Sequence, residues 1–150
     1  MTTADLRKER DRLRSRVASA FPRLKKSQIA EIAETARTQA FTIGETVMRE
    51  GTYANGFYVV VSGQADVSQL NEKGNDVKLR GLRPGDFFGE IGLLNPPRRT
   101  ATVRARTRLV IAAIDRDQFF AMLQTSAPTA AAVAAKGAKR LARKRPPTPK

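Results

Sequence analysis

The stretch Phe88–Ala105, FGEIGLLNPPRRTATVRA, decides how this chain is read. It sets a carboxylate, Glu90, nine residues before an arginine, Arg99, opens on Phe88-Gly89 and closes on the strand-like Thr100-Ala101-Thr102-Val103. A small anionic sugar phosphate requires groups of this kind. A guanidinium forks onto two phosphate oxygens, where an ammonium offers only a point charge. A carboxylate accepts hydrogen bonds from sugar hydroxyls. A glycine, lacking Cβ, lets backbone amides come close to the ligand. A short helical turn from Glu90 to Leu93 would aim further free amides at an anion.

The sequence around this stretch changes period twice. Asp5 to about Ala20 reads as a helix with Leu6, Leu13, Val17 and Phe21 on one stripe. A second helix, with Ser27 as N-cap, places Ile29, Ile32, Ala33 and Ala36 on its inner side. Strand-like runs follow at Gln39–Ile43, Thr46–Arg49, Phe57–Ser62, Ala65–Leu70, Val77–Leu82, Thr100–Arg106 and Leu109–Ile114. Gly44, Gly51, Asn55-Gly56, Gly63, Gly74-Asn75 and Pro84-Gly85-Asp86 mark the corners. Many short strands at this spacing predict an antiparallel sandwich or barrel. Asp115 then caps a helix in a capping-box pattern with Gln118, burying Phe119, Phe120, Met122 or Leu123. Ser126 and Pro128 open an alanine-rich final helix, weakened by Gly137 and stopped by Pro146-Pro147.

Composition narrows the function classes. A chain of 150 residues with 41% hydrophobic content is most simply one domain with a real core. No apolar run is long enough to span a bilayer, and no apolar segment follows the basic N-terminus. The chain has no cysteine and no histidine, which excludes disulfides, thiolate chemistry and imidazole metal ligation, and fits a cytoplasmic location. No Gly-rich phosphate loop, nucleophile elbow or catalytic pair is present, so no enzymatic activity is expected. Asp66, Glu72 and Asp76 form no readable carboxylate pair and read as turn or surface acids. Charge is uneven: nine Lys/Arg face three Asp/Glu in residues 1–26, and seven face none in residues 136–150. Such basic ends suit a non-specific acidic partner, nucleic acid or anionic lipid, and equally suit solvated, solubilising tails.

The run Phe88–Ala105 resembles the phosphate-binding cassette of the cyclic-nucleotide-binding domain family. It is most similar to the cassettes of hyperpolarisation-activated and cyclic-nucleotide-gated channels and bacterial relatives, which also read FGE-I-x-L-L followed by R-R-T-A. The glycines of Ile43-Gly44-Glu45, Arg49-Glu50-Gly51, Val61-Ser62-Gly63, Arg83-Pro84-Gly85-Asp86 and Phe88-Gly89-Glu90 resemble the same family. The likeness runs from about Phe21 to about Phe120. It implies a mainly β fold, an antiparallel jelly-roll with N-terminal helices and a C-terminal helical lid. The corresponding boundaries are N-terminal helices at 1–37, a jelly-roll at 38–115 with its cassette at 88–103, hinge and lid helices at 116–145 and a basic tail at 146–150.

The resemblance implies cAMP, or else cGMP, as ligand, with no other cofactor and no metal. It implies a regulatory module that signals to a protein partner by moving its terminal helices. By resemblance Glu90 accepts the ribose 2′-hydroxyl, Gly89 contributes backbone and Arg99 clamps the phosphate, with Arg98 its less suited neighbour. Thr100 offers a hydroxyl to the phosphate or the base edge, and is compatible with either nucleotide. Ala101 is small where backbone would meet phosphate. Ile91, Leu79, Val59 and Val61 are candidates to line the purine and sugar pocket. Arg140 is similar to the final-helix arginine that closes over the base in channel members; a solvated basic helix face is the alternative. Two other functional readings remain open. The chain is an excised regulatory domain of a larger channel, transporter or regulator, or a cyclic-nucleotide-modulated protein whose basic tails bind nucleic acid or another acidic partner. Only 22 residues follow Pro128, too few for an appended helix-turn-helix.

Overall fold

The computed structural model describes residues 2–52, 56–89 and 101–143. In chain order the elements are α1 (Thr3–Ala20), α2 (Lys26–Thr35), β1 (Arg37–Phe41), β2 (Thr46–Met48), β3 (Gly56–Ser62), β4 (Ala65–Leu70), β5 (Asp76–Leu82), β6 (Phe87–Phe88), β7 (Thr102–Ala105), β8 (Leu109–Asp115), α3 (Arg116–Thr125) and α4 (Ala127–Arg143). The strands form two four-stranded antiparallel sheets, in the orders β1-β8-β3-β6 and β2-β7-β4-β5. The chain passes back and forth between the sheets, which is the jelly-roll arrangement.

Strand β3 explains how helices and sheets share one core. Successive strand side chains point to opposite faces. Phe57, Val59 and Val61 join Leu13, Val17, Phe21, Phe119 and Met122 in a cluster under the helices. Val60 faces the other way, among Val67, Leu82, Phe88, Val103 and Ile111 between the two sheets. Both faces of β3 are therefore covered, which is why its sequence is a near-continuous apolar run without polar alternation. Phe57 is the hub of the helix-side cluster, with ring centroids 4.3 Å from Phe119, 5.7 Å from Phe21 and 6.5 Å from Phe87.

The helix starts differ from the sequence expectation in instructive ways. Helix α1 begins earlier than Asp5, because the Thr2 hydroxyl accepts the Asp5 amide while Asp5 accepts the Thr2 amide in return. The Thr2 hydrogen bonds hold the Asp5 carboxyl below its ordinary value. This contribution is present at neutral pH and is lost as pH falls through the lowered folded value. Only the second half of α1 packs: Leu13 and Val17 are buried, but Leu6 is half exposed. Helix α2 is capped at Lys25, two residues before the expected Ser27, because the Gln28 side chain accepts the Lys25 amide at 2.9 Å.

Asp115 caps α3 as its sequence suggests, its Oδ1 accepting the Gln118 amide at 2.8 Å. The Gln118 side chain does not return to the cap. It donates to the Thr35 hydroxyl and ties α3 to the end of α2. Asp115→Ala is expected to destabilise the protein by about 0.5–2 kcal/mol, the usual loss on removing such a cap, measured by urea unfolding. The final helix is better anchored than its alanine content suggests. Ser126 accepts the Thr129 amide at its start, and Thr129, Val133, Gly137 and Arg140 form a buried stripe. Pro146-Pro147 lie outside the described residues. Asp66 and Asp76 lie in cross-strand ion pairs with Lys78 and Arg104, at 3.1 and 3.0 Å, on strand surfaces, and Glu72 lies in an exposed turn.

Candidate functional site

The chain leaves one sheet at Phe88 and enters the other at Thr102, so the cassette sequence joins the two layers. Its two ends are well defined. Gly89 follows β6 with φ at +93°, in the left-handed region that favours glycine. Just before it, the Phe88 ring lies 5.0 Å from that of Tyr58, which fixes the end of β6 on the inter-sheet side. At the other end Ala101 is 5% exposed and packs in the inter-sheet cluster. A larger side chain there would press on this close-packed layer.

Thr102 fastens the next turn. Its hydroxyl accepts the Glu50 amide at 3.0 Å, while Glu50 Oε1 accepts the Leu70 amide at 3.1 Å. The end of the cassette is thereby tied to the segment after β2 and to the end of β4. Sequence reasoning missed this pair, since Glu50 and Thr102 lie 52 positions apart and each alone looks like an ordinary surface residue.

The other sequence-named residues divide into three groups. Glu90, Ile91, Arg98, Arg99 and Thr100 lie outside the described residues. Leu79 is half-buried against the inter-sheet cluster, on the same side as Ala101. Val59 and Val61 do not share that side. They belong to the helix-side cluster with Phe21 and Phe57, because odd-numbered residues of this part of β3 point at the helices. The residues sharing the inner layer with Leu79 and Ala101 are instead Val67, Leu82 and Met48, the last partly buried. Strand alternation could have found them only once the covered face of each strand was known.

Arg140 is also placed in a way the sequence did not suggest. Its Nη1 donates to the Phe87 carbonyl at 2.8 Å, and its guanidinium carbon lies 5.2 Å from the Phe87 ring centre. The side chain is buried, so it is not part of a solvated basic face. Lys136, one turn earlier, places its Nζ 5.1 Å from the same ring. Among the described residues no helix is long and apolar enough to cross a membrane, and no group of three or more acidic residues could hold a metal.

The family model for the cyclic nucleotide-binding domain matches residues 38–126, which takes in β1 from its second residue through β8, the cassette sequence and α3. The chain belongs to the cyclic nucleotide-binding domain family. It is 39% identical over 100 residues to the cAMP-dependent protein kinase regulatory subunit of Schizosaccharomyces pombe, covering 67% of this chain and 23% of that protein. It is 33% identical over 93 residues to the corresponding subunit of Blastocladiella emersonii, covering 62% and 23%. The chain thus spans about a quarter of the length of these curated relatives. Among solved structures it is similar to cAMP-bound PfPKA-R, with a TM-score of 0.69 and 28% identity over 75% of this chain and 41% of that one. It is also similar to the sensor domain of the transcriptional regulator DNR from Pseudomonas aeruginosa, with a TM-score of 0.73 and 25% identity over 90% and 89%.

Proposed function

We propose that this cyclic nucleotide-binding domain is a cAMP-responsive regulatory module that holds the nucleotide at the cassette and passes its occupancy to a protein partner through the terminal helices. The observation that carries the reading is the placement of the cassette's ends. Gly89 turns through a left-handed conformation at the end of β6, and Ala101 is buried where the chain returns to the opposite sheet. Between them the sequence supplies Glu90 for the ribose 2′-hydroxyl, Arg99 for the phosphate and Thr100 for a further hydrogen bond. Ile91 is the apolar neighbour of the sugar. Leu79, Val67 and Met48 replace Val59 and Val61 as candidates for the apolar wall. Such a site holds its ligand by shape and a few placed polar groups, and performs no chemistry on it.

The choice of cAMP over cGMP draws on the relatives. The curated ones are named as cAMP-dependent kinase regulatory subunits, and PfPKA-R is described as cAMP-bound. A melting-temperature panel of cAMP, cGMP, AMP and GMP tests the proposal. Ligand at a hundred times its Kd stabilises the folded state by about 2.7 kcal/mol, a rise in Tm of roughly 5–10 °C for a domain of this size. The largest shift is expected with cAMP, a smaller one with cGMP and little with the linear nucleotides. A larger shift with cGMP would reassign the preferred ligand. No shift with either cyclic nucleotide at millimolar concentration would remove the proposal.

A further inference from the structure

We infer that Arg140 is a positioning residue for the nucleotide site: from α4 it holds the strand that delivers Gly89, without touching the ligand. The inference rests on the nucleotide site proposed above and adds to it a residue that acts through Phe87.

The backbone pattern of β6 supplies the first argument. Asp86 directs its carbonyl at β3, where it accepts the Val60 amide at 2.8 Å. In an antiparallel pair, hydrogen-bonded and non-bonded positions alternate. Tyr58 pairs with Phe88 and Val59 with Phe87, so the Phe87 carbonyl points away from β3. Strand β6 is also the last strand of its sheet, so this carbonyl lies on the sheet's edge. A buried edge carbonyl needs a donor from outside the sheet. Arg140 Nη1 provides it at 2.8 Å.

Phe87 is held through both its side chain and its main chain. Its ring stacks on Phe21 at 5.1 Å and meets Phe57 edge-on at 6.5 Å, with the Arg140 guanidinium 5.2 Å from the ring centre. The ring fixes the side chain and Arg140 fixes the main chain of the same residue. Two positions later the chain makes the left-handed turn at Gly89. Backbone groups that bind a phosphate must be held to within about half an ångström, and here the support comes from a helix remote in sequence.

The residue type supports the same role. A planar guanidinium can donate to a carbonyl and lie against an aromatic ring with one side chain. A lysine offers a point charge and cannot reproduce both contacts. The buried stripe Thr129, Val133, Gly137 and Arg140 sets Arg140 on the packed side of α4, where Gly137 adds no bulk.

The test compares the full chain with Arg140→Met and Arg140→Lys, by amide exchange without nucleotide and by calorimetry with cAMP and cGMP. Arg140→Met is expected to speed exchange at Phe88 and Gly89. It should also weaken cAMP and cGMP by the same factor, about tenfold, as for one lost hydrogen bond to a charged group. Arg140→Lys, the milder change should the methionine variant fail to fold, should recover only part of the affinity. A larger loss for one base than for the other would overturn the inference by placing Arg140 on the ligand. A lowered Tm with unchanged affinity would overturn it by making the residue merely structural. If the unmodified chain binds neither nucleotide, the proposed function fails, and exchange still decides the role of Arg140. Faster exchange at Phe88 and Gly89 in the variants then supports it, and unchanged exchange overturns it.

Discussion

Arg99→Ala is expected to weaken cyclic nucleotide binding by about 2–5 kcal/mol, a loss of roughly thirty-fold to several thousand-fold. In the proposed site the cyclic phosphate would bring a full charge against the Arg99 guanidinium. Without its guanidinium partner the ligand would lose two parallel charge-assisted hydrogen bonds and keep the cost of desolvation. Arg98→Ala, by resemblance the less suited neighbour, should cost less than about tenfold. Calorimetry on both variants decides between them, and the reverse ranking would move the clamp to Arg98.

Phe57→Ala is expected to cost about 3–5 kcal/mol of folding stability, the range for truncating a buried aromatic side chain. Phe57 is fully buried and contacts the rings of Phe21, Phe87 and Phe119. These rings come from the end of α1, from β6 and from α3. One truncation would therefore loosen the N-terminal helices, the strand before the cassette and α3 together. Domains of this kind have about 5–15 kcal/mol in total, so the variant should unfold at a much lower urea concentration. A loss below about 1 kcal/mol would show that this cluster is not the packing centre described.

The parts of the fold legible in the sequence were those written in local pattern. Ala65–Leu70 reads as a strand because a turn glycine, Gly63, precedes it and Ala65 and Val67 alternate onto one buried face. Asp115 announces the start of α3 because a cap is a contact between near neighbours. Strand β6 was not legible: two phenylalanines before a glycine carry no period, and only pairing with β3 makes them a strand. Leu6 continues the α1 stripe in sequence, yet it does not join the cluster that buries Leu13 and Val17 and stays half exposed.

The site shows the same division. The cassette sequence announces a family because each of its residue types answers a separate need of a sugar phosphate. It does not announce an output. Its sequence resembles channel cassettes, whereas the curated relatives described above are named as kinase regulatory subunits, so the motif does not distinguish these contexts. Val59 and Val61 read as pocket candidates in the sequence because alternation gives two faces without saying which meets the ligand, yet they lie in the helix-side cluster. Arg140 finds Phe87 across 53 positions, a contact no local pattern encodes.

A calorimetric titration of the chain with cAMP tests the central claim most directly. The account predicts one saturable site per chain, its affinity sharply reduced in Arg99→Ala and retained far better in Arg98→Ala. No saturable binding of cAMP or cGMP at millimolar concentration, with the protein folded, would contradict it.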